Sequence, residues 1–536
     1  MAEAAAADAF AERAWAVAYR LLSQVPLADL THTDLDRLAV AAYLVGEDGE
    51  AVAAWEHAYK RHTCAAEQAE AARCAFWAAF CLMMRGQMAH AGGWLRRGQS
   101  VLGHDLDCPA RGYLLIPAVL AALDSDDADG ARRLAVQAGD IAGRFRDADL
   151  AAFSTLGHGQ ALLAMGDEAG GLARLDEVML AVCSGEVGPI ASGIVYCAVI
   201  LECLQLFDLA RAAEWTAALD EWCRAQPDVV PYRGQCSVHQ SQLQQAAGDW
   251  AGAVATVADA RNRLSDPPHP ALGLACYQEG ELCRVRGDLK AAADAYREAT
   301  RAGYEPMPGF ALLELQRGDA TSAAVSIGRA LREAGQPFRR PGLLAAAVEI
   351  RVAVSDVTGA TEAAAELVSI ADHSSSPVLR AMAAHAMGAA LLASGQTTDA
   401  MVQLREASAT WQRLSMPYET ARSAVLLGLG CAASGDSASA ALEFGNARSI
   451  FESLGAGPDL RRADRLAGGH VGRGPLSVRE LEVLALVAEG RTSRAIASSL
   501  RISQHTVRRH LENTFAKLGV TSRAAAVVYA YEHDLL

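Results

Sequence analysis

The chain has 536 residues, more than one hydrophobic core usually holds, so several domains or an array of repeats are expected. Apolar residues make up 51% of it, but aromatic residues only 6%, and alanine prevails. Because this composition favours helices that pack closely through small side chains, the chain is predicted to be all-α. Its formal net charge of −15 argues against the bulk of the chain as a nucleic-acid-binding surface.

No targeting or membrane segment is recognised in the sequence. The first residues, MAEAAAADAFAERAW, lack the basic stretch and long apolar core of a secretory signal. The longest uncharged run, VGPIASGIVYCAVIL, has fifteen residues and is too short to span a bilayer. The twelve cysteines form no Cys-x-x-Cys pair, so we expect them to be reduced and buried. These features predict a cytoplasmic protein.

A recurring spacing that begins at a glycine fills most of residues 1–460. After Gly287, a small residue follows at five positions (Ala292), a large one at nine (Tyr296) and alanine at twelve (Ala299). Successive starts are usually 39–41 residues apart. The other predicted starts are Gly46, Gly86, Gly166, Gly248, Gly318, Gly359, Gly395 and Gly435, with glycine replaced near Asp126 and Phe207.

This spacing predicts a stack of helical hairpins. Glycine tolerates the left-handed backbone that ends one helix, and the polar residue after it suits the turn. The small residues let neighbouring helices approach closely, and the large residue fills the remaining gap. The pattern resembles the tetratricopeptide repeat over roughly residues 35–455, although the first-helix Trp and Leu-Gly pair of that family are mostly missing. A HEAT-like array is the alternative within the same solenoid class.

The motifs of common enzymes are missing from the sequence. None of the three lysines follows the glycine-rich loop of a nucleotide-binding P-loop, and there is no HExxH helix or Gly-x-Ser-x-Gly elbow after a strand. The acidic run at 124–130 has its glycine one position too late for a calcium loop. His57 and His62 are five residues apart, which suits no common helical pair of metal ligands. We therefore predict a non-enzymatic protein without a cofactor or metal.

The character of the sequence changes after residue 460. Four glycines and Pro475 crowd together, which predicts a glycine-rich linker at 461–474 between a repeat domain at 1–460 and a small domain at 475–536. Residues 473–536 carry nine Arg or Lys and six Asp or Glu, a net charge of +3. Since the whole chain carries −15, the remainder carries −18, and charge is segregated between the two parts.

The terminal segment is predicted to form four short helices. Ser477 and Glu480 form a capping box at the start of the first, and the stretch GRTSRAIASSL forms the second. Ser503 is the N-cap of the third, which has apolar residues on one side and basic residues on the other. The fourth, SRAAAVVYAYEHDL, has a small apolar face suited to self-association. A short helix, a turn and a longer basic helix are typical of a helix-turn-helix unit.

This segment resembles the LuxR-type (GerE) DNA-binding domain along essentially all of its length. The residues that carry the resemblance are Leu476, Arg479, Glu480, Glu482, Val483, Leu484, Gly490, Ile496, Ala497, Leu500, Ser503, Thr506, Val507, His510, Asn513, Lys517, Leu518, Val520 and Arg523. The chain departs from the family pattern at Leu481, Ala495 and Thr514. The combination with helical repeats also resembles the large LuxR-type regulators, although the P-loop ATPase that many of them carry is missing from this sequence.

The resemblance implies that the helix beginning at Ser503 is a recognition helix for double-stranded DNA. Arg508 and Arg509 are then the candidates for contacts with bases or phosphates, since arginine can hold guanine or a phosphate with two hydrogen bonds. His510 is expected to have a structural or backbone-contact role. The full set of candidate DNA-binding residues is Ser503, Gln504, His505, Thr506, Arg508, Arg509, Glu512 and Lys517.

The resemblance gives the remaining candidates two kinds of role. Gln504, His505 and Glu512 are expected to tune the choice of DNA sequence, and Thr506 and Lys517 to contact the DNA backbone. The sequence as a whole is interpreted as a transcriptional regulator that binds DNA as a homodimer, with a repeat domain that senses a ligand or binds a protein partner. The alternative is an interaction scaffold whose terminal domain is a weak or vestigial DNA-binding module.

Overall fold

The computed structural model describes residues 2–103, 106–226, 228–265, 269–334, 340–470, 476, 478–500 and 502–532. Within these ranges the regular structure is helical and no strand occurs, which confirms the predicted all-α class. The chain divides into two compact units. The first comprises Met1–Arg284 and Asp288–Ala383, and the second Val285–Gly287 and Ala384–Leu536.

Short turns join most of the helices before residue 471, and nearly every helix packs against the next. These helices are α1 Ala2–Ala11, α2 Trp15–Leu22, α3 His32–Leu44, α4 Asp48–Cys64, α5 Gln68–Met84, α6 Met88–Leu102, α7 Pro109–Tyr113, α8 Ile116–Asp124, α9 Ala128–Phe145, α10 Ala148–Ala164, α11 Glu168–Cys183, α12 Pro189–Gln205, α13 Leu209–Arg224, α14 Pro231–Ala247, α15 Trp250–Ser265, α16 Leu272–Arg286, α17 Leu289–Arg301, α18 Gly309–Gln316, α19 Ala320–Glu333, α20 Pro341–Ala353, α21 Val357–Asp372, α22 Pro377–Ala393, α23 Thr397–Arg413, α24 Pro417–Ala433, α25 Ser437–Leu454 and α26 Gly457–His470.

The hairpin turns combine a left-handed residue with a helix cap. At Gly166 φ is 86°, and the Asp167 carboxylate then accepts a hydrogen bond from the Gly170 N–H, 2.9 Å away, which caps α11. The predicted starts without glycine, Asp126 and Phe207, are also left-handed, with φ of 59° and 58°. Where aspartate follows the left-handed residue, that residue ends one helix and the carboxylate begins the next, whereas the turns at Gly46, Gly86 and Gly395 have no side-chain cap.

The small, large and small positions of the repeat are buried, as predicted. Ala292, Tyr296 and Ala299 of α17 are 0%, 1% and 0% exposed. The corresponding residues of other copies, all under 5% exposed, are Ala51, Trp55 and Ala58; Ala253, Val257 and Ala260; Ala323, Ile327 and Ala330; Ala400, Leu404 and Ala407; and Ala440, Phe444 and Ala447. The second helix of each hairpin therefore carries the packing that the spacing predicts.

A glycine in the first helix of four hairpins receives the large residue of the second. A Cβ atom at Gly280 would lie 2.4 Å from Tyr296 Cε1, so the ring packs directly against the backbone of α16. The other three pairs, each also sixteen residues apart, are Gly159 with Leu175, Gly388 with Leu404 and Gly428 with Phe444. Leucine precedes this first-helix glycine only at Gly428, so in these four copies the Leu-Gly pair is mostly missing, as expected, although the glycine itself is present.

The repeat predicted to start at Gly359 is displaced by four residues. Ser355 has the left-handed conformation (φ 63°) and Asp356 caps α21, whereas Gly359 lies in its first turn and donates its N–H to Asp356 Oδ1. Counted from Ser355, the positions at five, nine and twelve are Ala360, Ala364 and Leu367, all 0% exposed, so this copy has alanine at the large position and leucine at the last one. The predicted start at Gly359 was wrong. Ser355 adopts the left-handed conformation at the turn, and Gly359 has an ordinary helical conformation within α21.

Contacts between residues far apart in sequence link the helices of the first unit. Trp15 Nε1 donates to Gln226 Oε1 over 3.1 Å, and the Val230 N–H donates to the Leu44 carbonyl over 2.8 Å. Farther along, Ser376 Oγ donates to the carbonyl of Phe207 over 2.8 Å. These partners are separated by 169 to 211 residues, so hairpins about five repeats apart touch within this unit.

Among the described residues, no helix is long and apolar enough to cross a membrane. All twelve cysteines of the chain are free, and nine of them are buried. Burial raises the pKa of several thiols, for example that of Cys81 to about 12. The nine buried cysteines therefore act as small apolar side chains, as the sequence predicts, whereas Cys64 and Cys183 are exposed.

The end of the chain forms four further helices: α27 Val478–Ala488, α28 Ser493–Ser499, α29 Gln504–Leu518 and α30 Arg523–Glu532. Their number and order are as predicted, and Ser477, the predicted cap of α27, lies outside the described residues. Before them, α26 continues to His470 with Ala463 fully buried, so the first ten residues of the predicted linker at 461–474 are helical. Residues 471–475 lie outside the described part of the chain.

Candidate nucleic-acid interface

The buried face of α29 holds it against its three neighbours. Val507, Leu511 and Leu518 are 0%, 7% and 7% exposed, and Phe515 is partly buried among them. These residues recur every three or four positions, so the helix has one continuous apolar stripe. The stripe packs on α27, α28 and α30, which leaves the opposite face of α29 open to solvent.

The start of α29 is fixed by a hydroxyl cap. Ser503 has extended backbone angles (φ −74°, ψ 153°), and its Oγ accepts a hydrogen bond from the Thr506 N–H at 3.1 Å. The hydroxyls of Ser503 and Thr506 also lie 2.8 Å apart. The predicted N-cap is confirmed, and this helix start, whose backbone N–H groups favour anions, lies at an exposed part of the domain.

The exposed face of α29 brings together five of the eight candidate residues. Gln504, His505, Arg508 and Arg509 occupy the first two turns and are exposed, and Glu512 follows one turn later. Arg508 Nε lies 3.3 Å from Glu512 Oε1, and the two side chains are 79% and 65% exposed. Such an exposed pair is weakly held, so Arg508 can exchange this carboxylate for another anion at little cost.

Lys517 differs from the other candidates because its ammonium group is already paired. Its Nζ lies 2.7 Å from Oε2 of Glu480 on α27, whose side chain is only 4% exposed. The Lys517 side chain itself is 44% exposed. This contact joins α29 to α27 across the domain, and sequence reasoning did not foresee it, since the two residues are 37 positions apart.

Two arginines also connect helices within this part of the chain. Arg479 Nη2 of α27 donates to the carbonyl of Leu500 at the end of α28, and Arg523 Nη2 of α30 donates to the carbonyl of Arg491, at 2.8 and 2.9 Å. These side chains are engaged in holding the four helices together. The net charge of +3 for residues 473–536 therefore overstates the number of cations free to meet an external anion.

Comparison with known families identifies this part of the chain. Residues 474–530 match the family described as bacterial regulatory proteins, luxR family. The four helices form a LuxR-type helix-turn-helix domain. The predicted resemblance is thereby confirmed for this segment, which includes the candidate residues on α29.

Curated relatives share this domain over a minor part of their length. The chain is 38% identical over 86 residues to the transcriptional regulatory protein LiaR of Bacillus subtilis, which is 16% of this chain and 41% of the relative. It is 43% identical over 61 residues to the response regulator protein VraR of Staphylococcus aureus, or 11% of this chain and 29% of the relative. The similarity thus spans less than half of these proteins.

Solved structures of stacked helices resemble the chain over a longer stretch. The Cut9-Hcn1 hetero-tetramer of the APC/C shows a TM-score of 0.37 at 13% identity, with 87% of this chain and 95% of that chain covered. The yeast Tom70 shows a TM-score of 0.30 at 12% identity, with 87% of this chain and 93% of that chain covered. Neither similarity assigns a function to the repeat region.

Sequence reasoning missed one exposed cation of the LuxR-type domain. Arg494 lies in the first turn of α28, is exposed, and has no ion-pair partner among the described residues. Thr492 caps this helix by accepting a hydrogen bond from the Ala495 N–H. Arg494 therefore adds to the exposed cations of this domain. The sequence did contain a signal for this cation, because Arg494 lies one residue after Ser493, near the start of a predicted helix.

Two features of the LuxR-type domain fall on residues that the sequence singled out. Thr514, a departure from the family pattern, is 0% exposed, and its hydroxyl has no hydrogen-bond partner within the described residues. On α30, Val528 and Tyr531 are 54% and 64% exposed, while Ala526 and Ala530 are fully buried. The fourth helix therefore presents an apolar outer face in addition to its packed one.

Proposed function

We propose that the chain is a sequence-specific DNA-binding transcriptional regulator that inserts α29 into the major groove. The observation that carries this proposal is the face of α29, where Gln504, His505, Arg508 and Arg509 stand exposed behind a capped helix start. A helix of this length and charge fits the major groove, and its N-terminal residues reach the base edges. The LuxR-type family of the domain supports the same function.

Arg508 and Arg509 differ in the contacts that they make before DNA binds. Arg509 is exposed and has no ion-pair partner among the described residues, so it meets a phosphate or a guanine without losing a contact. Arg508 is held by Glu512 and exchanges that partner on binding. Gln504, His505 and Glu512 adjust the sequence preference around these cations, while Ser503 and Thr506 at the helix start lie where a backbone phosphate would approach.

The DNA-bound form is proposed to be a homodimer. Val528 and Tyr531 give α30 an exposed apolar strip of the kind that a second copy can cover. A two-fold dimer reads two half-sites about one helical turn of DNA apart. The expected target is therefore an imperfect palindrome with half-sites centred about 10 base pairs apart.

The repeat region is proposed to sense a ligand or bind a protein partner and so to control the DNA-binding domain. It carries the negative charge of the chain, −18 outside residues 473–536, which opposes non-specific binding to the DNA polyanion. Free, buried thiols suit a reducing compartment, so we place this function in the cytoplasm.

The experiment is selection of genomic DNA fragments by the purified full-length chain. We expect enrichment of a shared motif, and its loss in the double variant Arg508→Ala/Arg509→Ala. The matched control is Arg132→Ala/Arg133→Ala, which removes an adjacent arginine pair from the exposed surface of α9. Equal enrichment by both double variants would exclude α29 as the reader of sequence.

Residues 473–536 alone are tested in parallel. Enrichment by this fragment but not by the full chain would show that the repeat region holds the domain inactive until an effector binds. No enrichment by either protein would favour the interaction scaffold.

A further inference from the structure

Three consecutive helices of the first unit bring two histidines and a glutamate together at one end of their hairpins. His32 is the first residue of α3, His62 lies in the last turn of α4, and Glu67 is the residue immediately before α5. Each comes from a different helix terminus, so the cluster is created by the stacking and is not visible as a local spacing. Sequence spacing gave His62 no suitable partner, since His57 is five residues away, whereas the fold places it beside His32.

The three side chains are within the reach of a single ion. His62 Nδ1 lies 2.6 Å from Glu67 Oε2, and His32 Nδ1 lies 3.5 Å from the same oxygen. The two imidazole rings are 4.6 Å apart between centroids and inclined at 65°. One ligand atom from each residue falls within 4.8 Å of the others. Two imidazole nitrogens and one carboxylate oxygen thus lie within a span of 4.8 Å.

The surroundings of the cluster favour a cation. His62 is 4% exposed, and the ring nitrogen that faces Glu67 is Nδ1, so this nitrogen is the one placed to hold an ion. His32 and Glu67 are 36% and 48% exposed, so an ion can enter from solvent.

We propose that His32, His62 and Glu67 form a site for a divalent transition-metal ion of the Zn²⁺ class. Imidazole nitrogens with one carboxylate are ligands typical of zinc. Zn²⁺ holds such ligands at about 2.0–2.2 Å, which puts two ligands of a tetrahedral ion about 3.4 Å apart. The distance from His32 to Glu67 already fits, and the exposed Glu67 carboxylate has only to move away from His62 by less than about 1 Å.

The site differs from a closed structural zinc centre. Three protein ligands leave one tetrahedral position, and this position faces solvent because the two outer ligands are partly exposed. A bound ion would tie the start of α3 to the end of α4 and the start of α5. It would thus fix the first stacked helices of the repeat region and keep one position for water or an anionic ligand. This inference is independent of DNA binding.

The test is a titration of the chelator-treated, full-length chain with Zn²⁺ by isothermal titration calorimetry. We expect one ion per chain, and a loss of at least about tenfold in affinity in Glu67→Gln and in His32→Ala. These two residues are chosen because both are exposed enough to be replaced without opening the core, unlike His62. His90→Ala, an exposed histidine on α6, is the matched control and is expected to bind as the wild type does.

Thiols are the competing source of zinc binding, and Cys64 lies exposed two residues after His62. Cys64→Ser is therefore expected to retain the full affinity. Titration with Co²⁺ gives a second readout, since an N/O ligand set shows visible absorption without a thiolate charge-transfer band. Unchanged Zn²⁺ affinity in both ligand variants, loss of binding in Cys64→Ser, or no stoichiometric ion in the wild type would each overturn the proposal.

Discussion

The repeat region and the LuxR-type domain are both helical with apolar cores, but each adds a different kind of contact between its helices. In the repeats, an aromatic or aliphatic side chain packs against a glycine backbone, as Tyr296 does at Gly280. In the LuxR-type domain, cations add to the apolar packing, as Lys517 does with Glu480 and Arg479 with the Leu500 carbonyl. A repeated apolar pattern therefore specifies the first region, whereas in the second the polar contacts draw cations away from the surface.

The largest effect is expected from removing one packed ring in the repeats. Phe444 is 0% exposed and fills the space over Gly428, so Phe444→Ala should lower the free energy of local unfolding by about 4 kcal/mol. Hydrogen exchange read by mass spectrometry should show faster exchange in α24 and α25, with α27–α30 unchanged. An equal increase in the hydrogen-exchange rate of α27–α30 would show that the two regions do not unfold independently.

Acid should destabilise the repeats before the LuxR-type domain. His239 is 0% exposed, and burial lowers its pKa to about 4. Between about pH 6.5 and pH 4, the unfolded chain therefore binds a proton at this histidine and the folded chain does not. Stability should thus fall by roughly 3 kcal/mol as pH drops from 6.5 to 4. Exchange in α14 as a function of pH measures this loss, and His239→Leu, which cannot titrate, should flatten it.

Removal of either arginine from α29 should weaken DNA binding without unfolding the domain. Arg508→Ala is expected to cost about 1–3 kcal/mol at a cognate site and to relax the base preference, because the side chain is exposed and makes only a surface pair. Glu512→Gln should raise the affinity for all sequences, since it frees Arg508 and removes a negative charge. Fluorescence anisotropy with cognate and scrambled duplexes provides the measurement. An unchanged cognate affinity in Arg508→Ala would show that this arginine reads no base.

Lys517 tests whether a cation can serve both the fold and the DNA. Lys517→Met leaves Glu480 buried without this partner and should destabilise the LuxR-type domain by about 2 kcal/mol. Hydrogen exchange in α27 and α29 measures this loss of stability. The double variant Glu480→Gln/Lys517→Met should recover most of that stability. If Lys517 also contacts a phosphate, DNA affinity stays low in the double variant and the salt slope falls by about one. Full recovery of both would assign Lys517 to the fold alone.

The smallest effect is expected at Thr514, and it has the opposite sign. Its hydroxyl is buried without a partner in the described structure, so Thr514→Val should stabilise the LuxR-type domain by about 1 kcal/mol. Hydrogen exchange that is slower in α29 and unchanged in the repeat helices would show this stabilisation. Faster exchange would mean that the hydroxyl has a partner in solution.

Sequence reasoning succeeded where a feature was local. The buried positions at Ala292, Tyr296 and Ala299, the cap at Ser503 and the helix order of the LuxR-type domain all follow from spacing within one or two helices. It failed at Gly359 because a serine can also adopt the left-handed turn when the following Asp356 caps the helix.

The remaining misses join residues that no local pattern connects. The Lys517–Glu480 pair spans 37 positions and the His32–Glu67 contact 35, and each depends on how separate helices stack. Spacing along one helix cannot report such pairs, because each side chain alone looks like an ordinary surface residue. The roles of the eight candidate residues in DNA binding stay predictions for the same reason, since the complex decides them.

The hydrogen bond between Trp15 and Gln226 bears on how the chain is made. A simple repeat array can fold hairpin by hairpin as it leaves the ribosome, since each unit needs only its neighbour. Here the partner of Trp15 is synthesised 211 residues later, which takes about 10–40 s at typical translation rates. During that interval the indole, which is 2% exposed in the finished fold, lacks this partner, so the packing around α2 is completed only after Gln226 has been synthesised.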